Sequence, residues 1–311
     1  MQATALIRPG EIDQWDQALY AFLAEKERRS GSLRTVQSYS RMLQHFFSVA
    51  QKTPDRITSP EAFSWAHGIG LSGKRPSSIT IGARLACLSS FYKFLIRMGL
   101  MAANPCDAIE RPKTVSSQPR GLSADDIKKL LDIIPETPTG LRDRAIILTL
   151  TFTGRRRAEV MNLTAGSIVN EGSTIFYEYR GKGGKTGKRE LPRPAYEAIV
   201  TALAAWRKDL ATMSHDESLW PSAGSERGIT SGTFYGNLRR YLRKAGLPPS
   251  GVHIFRHSAA KLRRDAGESI EDVSRFLDHS SLAVTTTYLR RLEGQEDRAW
   301  AQVAAAIGVT T

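Results

Sequence analysis

His253-Ile254-Phe255-Arg256-His257 places two imidazoles and a guanidinium within five residues, and His279 and Tyr288 follow downstream, nine positions apart. A guanidinium clamps phosphate oxygens through two parallel hydrogen bonds. A phenol becomes a covalent nucleophile once a base takes its proton and its target is made electrophilic. Together these groups suit the cutting and rejoining of a nucleic-acid backbone through a tyrosine–phosphate bond. Taken singly, each has an ordinary structural use. His-x-x-Arg is a common surface pair on a helix, His279 suits a helix C-terminus, and Tyr288, after Thr285-Thr286-Thr287, suits a half-buried core position. The stretch gains meaning only with a second cationic cluster upstream.

That cluster is Thr153-Gly154-Arg155-Arg156-Arg157-Ala158-Glu159-Val160. An apolar helix, Ala145 to Phe152, runs into Gly154, and a new helix carries Val160 and Leu163. Arg156 falls at the turn, with Glu159 one helical turn on, placed to buttress a guanidinium. Three adjacent arginines in an apolar context call for an anion; a basic surface turn is the plain alternative. Lys182 lies in Gly181-Lys182-Gly183-Gly184-Lys185-Thr186-Gly187. The glycines let such a loop approach a ligand closely, although Gly-Lys-Gly also makes an ordinary solvated turn.

The elements that must position these groups read as follows. A helical stripe over 11–28 holds Ile12, Trp15, Leu19, Phe22 and Leu23. Ser32 precedes a second helix with Val36, Tyr39, Leu43, Phe46, Phe47 and Ala50 on one face, ended at Thr53-Pro54. Ser59-Pro60 opens a short helix through Trp65. A basic loop, 71–76, leads to a long helix from Ser77 with Ile79, Ala83, Ala86, Phe91 and Leu95 inward and Gly99 as its stop. Residues 1–110 thus form a small all-α domain. Residues 111–122, polar and proline-bearing, read as a linker. The second domain, 123–311, is mixed, with helices expected over 123–133, 141–152, 157–163, 194–207, 230–245, 254–266, 269–277 and 281–289, and a weak tail helix over 294–307. Ser123 caps the first, with Asp126 in the capping-box position. Thr174 to Arg180 alternates as a strand with Ile175, Tyr177 and Tyr179 on one side, and Lys188 to Leu191 is its hairpin partner. The fold class is mainly α with a small antiparallel β-hairpin in the second domain.

Charge names the partner class. Lys plus Arg number 44 against 31 acids, a net +13. Residues 1–111 carry 14 basic and 9 acidic groups, and residues 112–311 carry 30 and 22, so both halves are positive. Nucleic acid is the leading explanation, with an acidic membrane surface second. The basic side chains expected on phosphates are Arg34, Lys74, Arg75 and Arg84 in the first domain and Arg155, Lys185, Lys188, Arg239, Arg240 and Arg243 in the second. Two cysteines, Cys87 and Cys106, are too few for a disulfide scaffold and match no zinc spacing. The first residues lack the layout of a signal peptide, and no apolar run approaches the length of a membrane span. A soluble cytoplasmic protein is the expectation.

In order and spacing these residues resemble the tyrosine recombinases and phage-type integrases, particularly the Xer-type members, from about residue 11 to Tyr288. The resemblance rests on Thr153 to Glu159, Gly181-Lys182-Gly183, His253 to His257, and Leu277-Asp278-His279-Ser280-Ser281 leading to Tyr288. Two departures stand out: the family usually has apolar residues where Arg155 and Arg157 stand, and glycine where Asp278 stands. The resemblance implies a helical core-binding domain and a catalytic domain that clamp double-stranded DNA. It also implies a tetramer, of one chain or with a paralogue, exchanging strands through a Holliday junction. The catalytic set carried over is Arg156, Lys182, His253, Arg256, His279 and Tyr288, supported by Glu159. Arg156 and Arg256 would neutralise the phosphate's non-bridging oxygens, His253 and His279 would add hydrogen bonds, and His253 would accept the phenol proton. Lys182 would protonate the leaving 5′ oxygen. No metal, ATP or other cofactor is required, because the covalent link keeps the phosphodiester's energy. Two other readings keep part of this: a type IB topoisomerase-like enzyme that nicks and reseals, and a catalytically silent DNA-binding regulator on the same fold.

Overall fold

A computed structural model describes residues 13–70, 73–113, 121–181, 184, 186–225 and 227–278. The chain divides into two units, Met1–Ser116 and Ser117–Thr311.

The first unit is built from α1 (Gln14–Ser30), α2 (Leu33–Ala50), α3 (Ser59–His67) and α4 (Ser78–Arg97), with a 3-10 turn at Pro54–Arg56. Short polar side chains start the helices. Asp13 accepts from the backbone N–H of Trp15 and Asp16, each at 2.8 Å, and Glu61 accepts from the N–H of Thr58 at 2.9 Å. Aromatic edges make the core: Phe22 meets Phe91 at 5.3 Å and Phe46 meets Trp65 at 5.0 Å between ring centroids. On α4 the inward row is Leu85, Leu88, Phe91, Tyr92 and Leu95. Ile79 and Ala83, expected inward, are exposed. At about 3.6 residues per turn, the nine residues from Ile79 to Leu88 are two and a half turns, so the two stand on opposite sides. The helix is also more apolar than expected; by length and composition it would suffice to cross a membrane. Its apolar row is buried in the core of this unit.

The second unit comprises α5 (Ala124–Asp132), α6 (Pro138–Thr153), α7 (Arg157–Met161), β1 (Ile168–Glu171), β2 (Thr174–Arg180), β3 (Thr186–Glu190), α8 (Arg193–Ala205), α9 (Ser231–Lys244), α10 (Ile254–Asp265) and α11 (Ile270–Phe276). The strands form an antiparallel sheet in the order β1-β2-β3. Tyr177 is buried, with Ile175 and Tyr179 packed beside it on the core, as the alternation predicted. Tyr177 pairs with Arg189 and Arg180 with Thr186, so β2 and β3 flank the lysine loop. β1 was not legible: Ile-Val-Asn-Glu is too short to alternate. α6 is apolar on most sides, and Ala145, Ile146, Ile147 and Leu150 are all buried, which suits a central helix. It begins three residues earlier than expected, at Pro138, because Thr137 caps it by accepting from the N–H of Gly140 at 3.2 Å. The end of the expected linker belongs to this unit: Leu122 is buried and its N–H donates to Ser258 Oγ at 2.8 Å.

A buried polar network fixes α9 to α6. Asp143 is fully buried; Arg142 donates to its Oδ1, while Asn237 and Tyr241 donate to Oδ2 at 2.8 and 3.0 Å. Asp143→Ala would leave the buried Arg142 without its counter-charge. The expected result is a loss of about 3–5 kcal/mol in denaturant unfolding, whereas Arg239→Ala, at an exposed position of α9, should change stability little.

Candidate active site

Gly154 is the hub. It ends α6 in the left-handed conformation, φ +60°. A Cβ there would lie 2.6 Å from Phe276 Cε1 and 2.8 Å from Leu277 Cδ2, so glycine is required both by backbone and by space. Through this turn α6, α7 and the end of α11 come together. Arg256, on the first turn of α10, is buried and donates to the carbonyls of Gly154 (2.8 Å) and Leu277. Arg156 begins α7 two residues from Gly154. Buried Glu159 accepts from the Arg156 backbone N–H and from its guanidinium, both at 2.8 Å. The Arg156 side chain is still 39% exposed, so Glu159 holds one edge of the guanidinium at the surface.

His253 stands one residue before α10, with its ring edge-on to His257 at 5.0 Å. Its pKa is lowered from the ordinary imidazole value, first by loss of solvent, then by the charges of Arg256, Arg156 and Arg157. Part of the residue still faces solvent; the packed side chains and the arginines act on the rest. Arg156, Arg256 and His253 therefore share one electrostatic environment. A lowered pKa keeps His253 neutral, hence able to accept a proton, below the ordinary imidazole range. Tyrosine–phosphate formation should thus stay high to acid pH. Arg157→Gln removes one cation, raises the His253 pKa and should move the acid limb of the pH–rate profile upward; an unmoved limb would show that another group titrates.

Lys182, Lys185, His279 and Tyr288 lie outside the described residues, as do the expected helices 281–289 and 294–307. Of the expected phosphate contacts, Arg34, Lys74 and Arg75 are exposed. Arg239, Arg240 and Arg243 line an open groove along α9 with Gly236, Leu247 and Pro249. Lys188 reaches Glu171 across the sheet and lies 5.1 Å from the Phe176 ring centroid. Two candidates are otherwise engaged. Arg84 donates to the carbonyls of Trp65, Ala66 and Gly68 at 3.0, 3.1 and 2.8 Å, capping the end of α3. Arg155 is 1% exposed and turned inward. It donates to Tyr179 Oη at 2.8 Å, to Asp278 and to the Phe276 carbonyl, with its guanidinium 4.7 Å from the Tyr179 ring centroid. The Asp278 carboxylate meets its charge in place of a phosphate.

Sequence reasoning did not join Arg155 to Asp278, nor either to Tyr179 and Arg189. Asp278 also accepts from Tyr179 Oη and, at 2.8 Å, from Arg189 Nη2. Burial pushes its pKa up, but hydrogen bonds from Tyr179, Arg189 and Arg155 with the Arg155 charge outweigh this and hold it at about 2. A carboxyl below its unfolded value stabilises the fold above the ordinary range near pH ~3.9, and that contribution is lost as pH falls through the folded value. The only local signal was negative: an arginine and an aspartate where the resembled pattern has neither.

Comparison with known proteins shows the family and the fold. The phage integrase family pattern matches residues 120–294, and the phage integrase N-terminal SAM-like domain matches residues 14–99. The tyrosine recombinase XerC of Alcanivorax borkumensis is 31% identical over 269 residues, 84% of each chain. The tyrosine recombinase XerD of Rhizobium meliloti is 28% identical over 277 residues, 85% of this chain and 87% of the relative. Among solved structures, the XerH site-specific recombinase in a post-cleavage complex with its palindromic difH substrate superposes with a TM-score of 0.67 at 19% identity, covering 94% of this chain and 84% of that one. A lambda integrase dimer bound to a COC′ core site gives 0.67 at 16% identity, covering 90% and 97%. With the phage integrase pattern and its N-terminal SAM-like domain both matched and its arginines gathered at one turn, this chain belongs to the phage integrase family of tyrosine recombinases and is of the Xer type.

Proposed function

We propose that this chain is a site-specific recombinase that cuts and rejoins double-stranded DNA through a 3′-phosphotyrosine on Tyr288. The observation that carries the reading is the convergence of Arg156 and Arg256 on the Gly154 turn beside His253. Two guanidinium groups at one place suit a single phosphate, whose non-bridging oxygens gain charge in the transition state. His253, kept neutral, accepts the phenol proton as the tyrosyl oxygen bonds to phosphorus. The bond from phosphorus to the 5′ oxygen breaks, and Lys182 supplies the proton that this oxygen needs. Reversal by the 5′ hydroxyl of another strand restores the phosphodiester, and two such exchanges pass through a Holliday junction. Two synapsed sites present four strands to be cut, and one tyrosine per strand calls for four protomers, of this chain alone or of this chain with a paralogue. Arg34, Lys74, Arg75 and the α9 arginines would hold the DNA backbone.

The test is covalent capture. Purified protein is incubated with a pool of random duplexes carrying nicks that let the 5′ fragment diffuse away, denatured in SDS, and the retained DNA is sequenced. A recombinase gives an adduct on Tyr288 with an enriched pair of inverted half-sites. The reading fails if no adduct forms, or if retained DNA has no shared sequence and the protein relaxes supercoils without joining two sites.

A further inference from the structure

One carboxylate joins three segments that bear catalytic groups. Asp278 ends the described part of the chain one residue before His279, with φ +51°, in the left-handed region that favours glycine. Its oxygens are filled from elsewhere: Oδ1 by Arg189 of β3 at 2.8 Å, Oδ2 by Tyr179 of β2 and by Arg155 beside Arg156. Tyr179 pairs with Gly187, and a Cβ at Gly187 would lie 2.5 Å from the Tyr179 ring, so this ring lies flat across the opposite strand. That pair is one step from the last pair before the loop, Arg180 with Thr186. Tyr179 is three residues before Lys182. Past Tyr177, where the pairing with β1 ends, β2 and β3 run on as a two-stranded ribbon, which twists easily; held at Tyr179 and Arg189 by a common anion, it has its base fixed against the Arg155–Arg156 turn.

We propose that Asp278 is a positioning residue. Its carboxylate, with Arg155 as buried counter-charge, clamps β2 and β3 to the arginine turn and so sets where Lys182 stands when it protonates the leaving oxygen. Arg155 and Asp278 are then one coupled change and not two separate ones: the buried guanidinium requires the carboxylate, and the carboxylate in turn gathers the hairpin. This rests on the recombinase reading and on Lys182 as the acid.

The test uses the site recovered by covalent capture, in ordinary form and with sulfur replacing the bridging 5′ oxygen. A thiolate leaves without a proton, so a defect confined to proton delivery vanishes on the sulfur substrate. Adduct formation is followed in a single turnover for wild type, Lys182→Ala, Asp278→Asn and Arg189→Gln, with thermal melts beside. The Arg189 side chain is 53% exposed, so its replacement does not threaten folding and stands even if the Asp278 variant does not fold. Both clamp variants should be slower by about 10–100-fold on oxygen and return to near the wild-type rate on sulfur, as Lys182→Ala does. Unchanged rates on oxygen overturn the clamp. Equal slowing on both substrates also overturns it, because the carboxylate then acts elsewhere than on the proton. Failure of sulfur to rescue Lys182→Ala removes the acid on which the clamp is argued to act. An absence of adduct with wild type is a separate result, and it rejects the recombinase reading itself.

Discussion

Tyr288→Phe should bind its DNA site with unchanged affinity and form no covalent adduct. The substitution removes one oxygen and leaves the ring, so the contacts that hold DNA, which come from basic side chains on other elements, are kept. The reaction has no second route to the same product: without the phenolic oxygen there is no atom to bond to phosphorus. The effect is loss of all detectable adduct, read as SDS-stable protein–DNA bands beside a binding titration. Binding in both proteins should weaken steeply with salt, because each phosphate contact releases counterions. A normal adduct from Tyr288→Phe would move the nucleophile to another residue and sink the mechanism.

Arg256→Gln is the second large effect. Arg256 has two tasks that its geometry makes inseparable. Its Nη1 holds the Gly154 carbonyl at 2.8 Å and its Nη2 the Leu277 carbonyl, fastening the turn that presents Arg156 to the segment that leads to His279. In the proposed reaction its charge also meets that developing on phosphate. Loss of one preorganised donor costs about 10²–10³ in rate, and displacement of its neighbours adds to this. We expect adduct formation to fall by about 10³-fold or more on this basis, with a lower Tm, since two buried carbonyls lose part of their hydrogen bonding. Arg156→Gln separates the tasks. Its guanidinium is partly exposed and is tied only to Glu159 among its described contacts, so the rate should fall with a smaller change in Tm. If both variants melt early and react at the wild-type rate, the arginines are structural and the site is elsewhere.

Much of the architecture was legible because its signals are local. Ser32 and Ser123 announce helix starts by accepting from N–H groups three residues on, and a tetrapeptide contains all the information needed. The alternation of Ile175, Tyr177 and Tyr179 shows which side of β2 is buried. Glu159 as the partner of Arg156 follows from a separation of three residues on one helix. Where the signal was weak, as in the four residues of β1, the strand exists by pairing with β2, a partner that its own composition does not name. The inward face of α4 failed for a related reason. Ile79 and Leu88 are equally apolar, and only the presence of α2 and α3 on one side decides which is buried.

The chain by itself offered a candidate inventory and its order, because the chemistry of phosphate transfer admits few side chains. Tertiary structure decided which cations turn inward to the fold and which stay at the surface. Arg155 and Arg156 are adjacent and alike in sequence, yet one is 1% exposed beside Asp278 and the other faces outward from Glu159. The carboxylate that draws Arg155 inward lies 123 residues away in the chain. A charge can be buried only where its counter-charge is brought by packing, and no local pattern encodes that meeting.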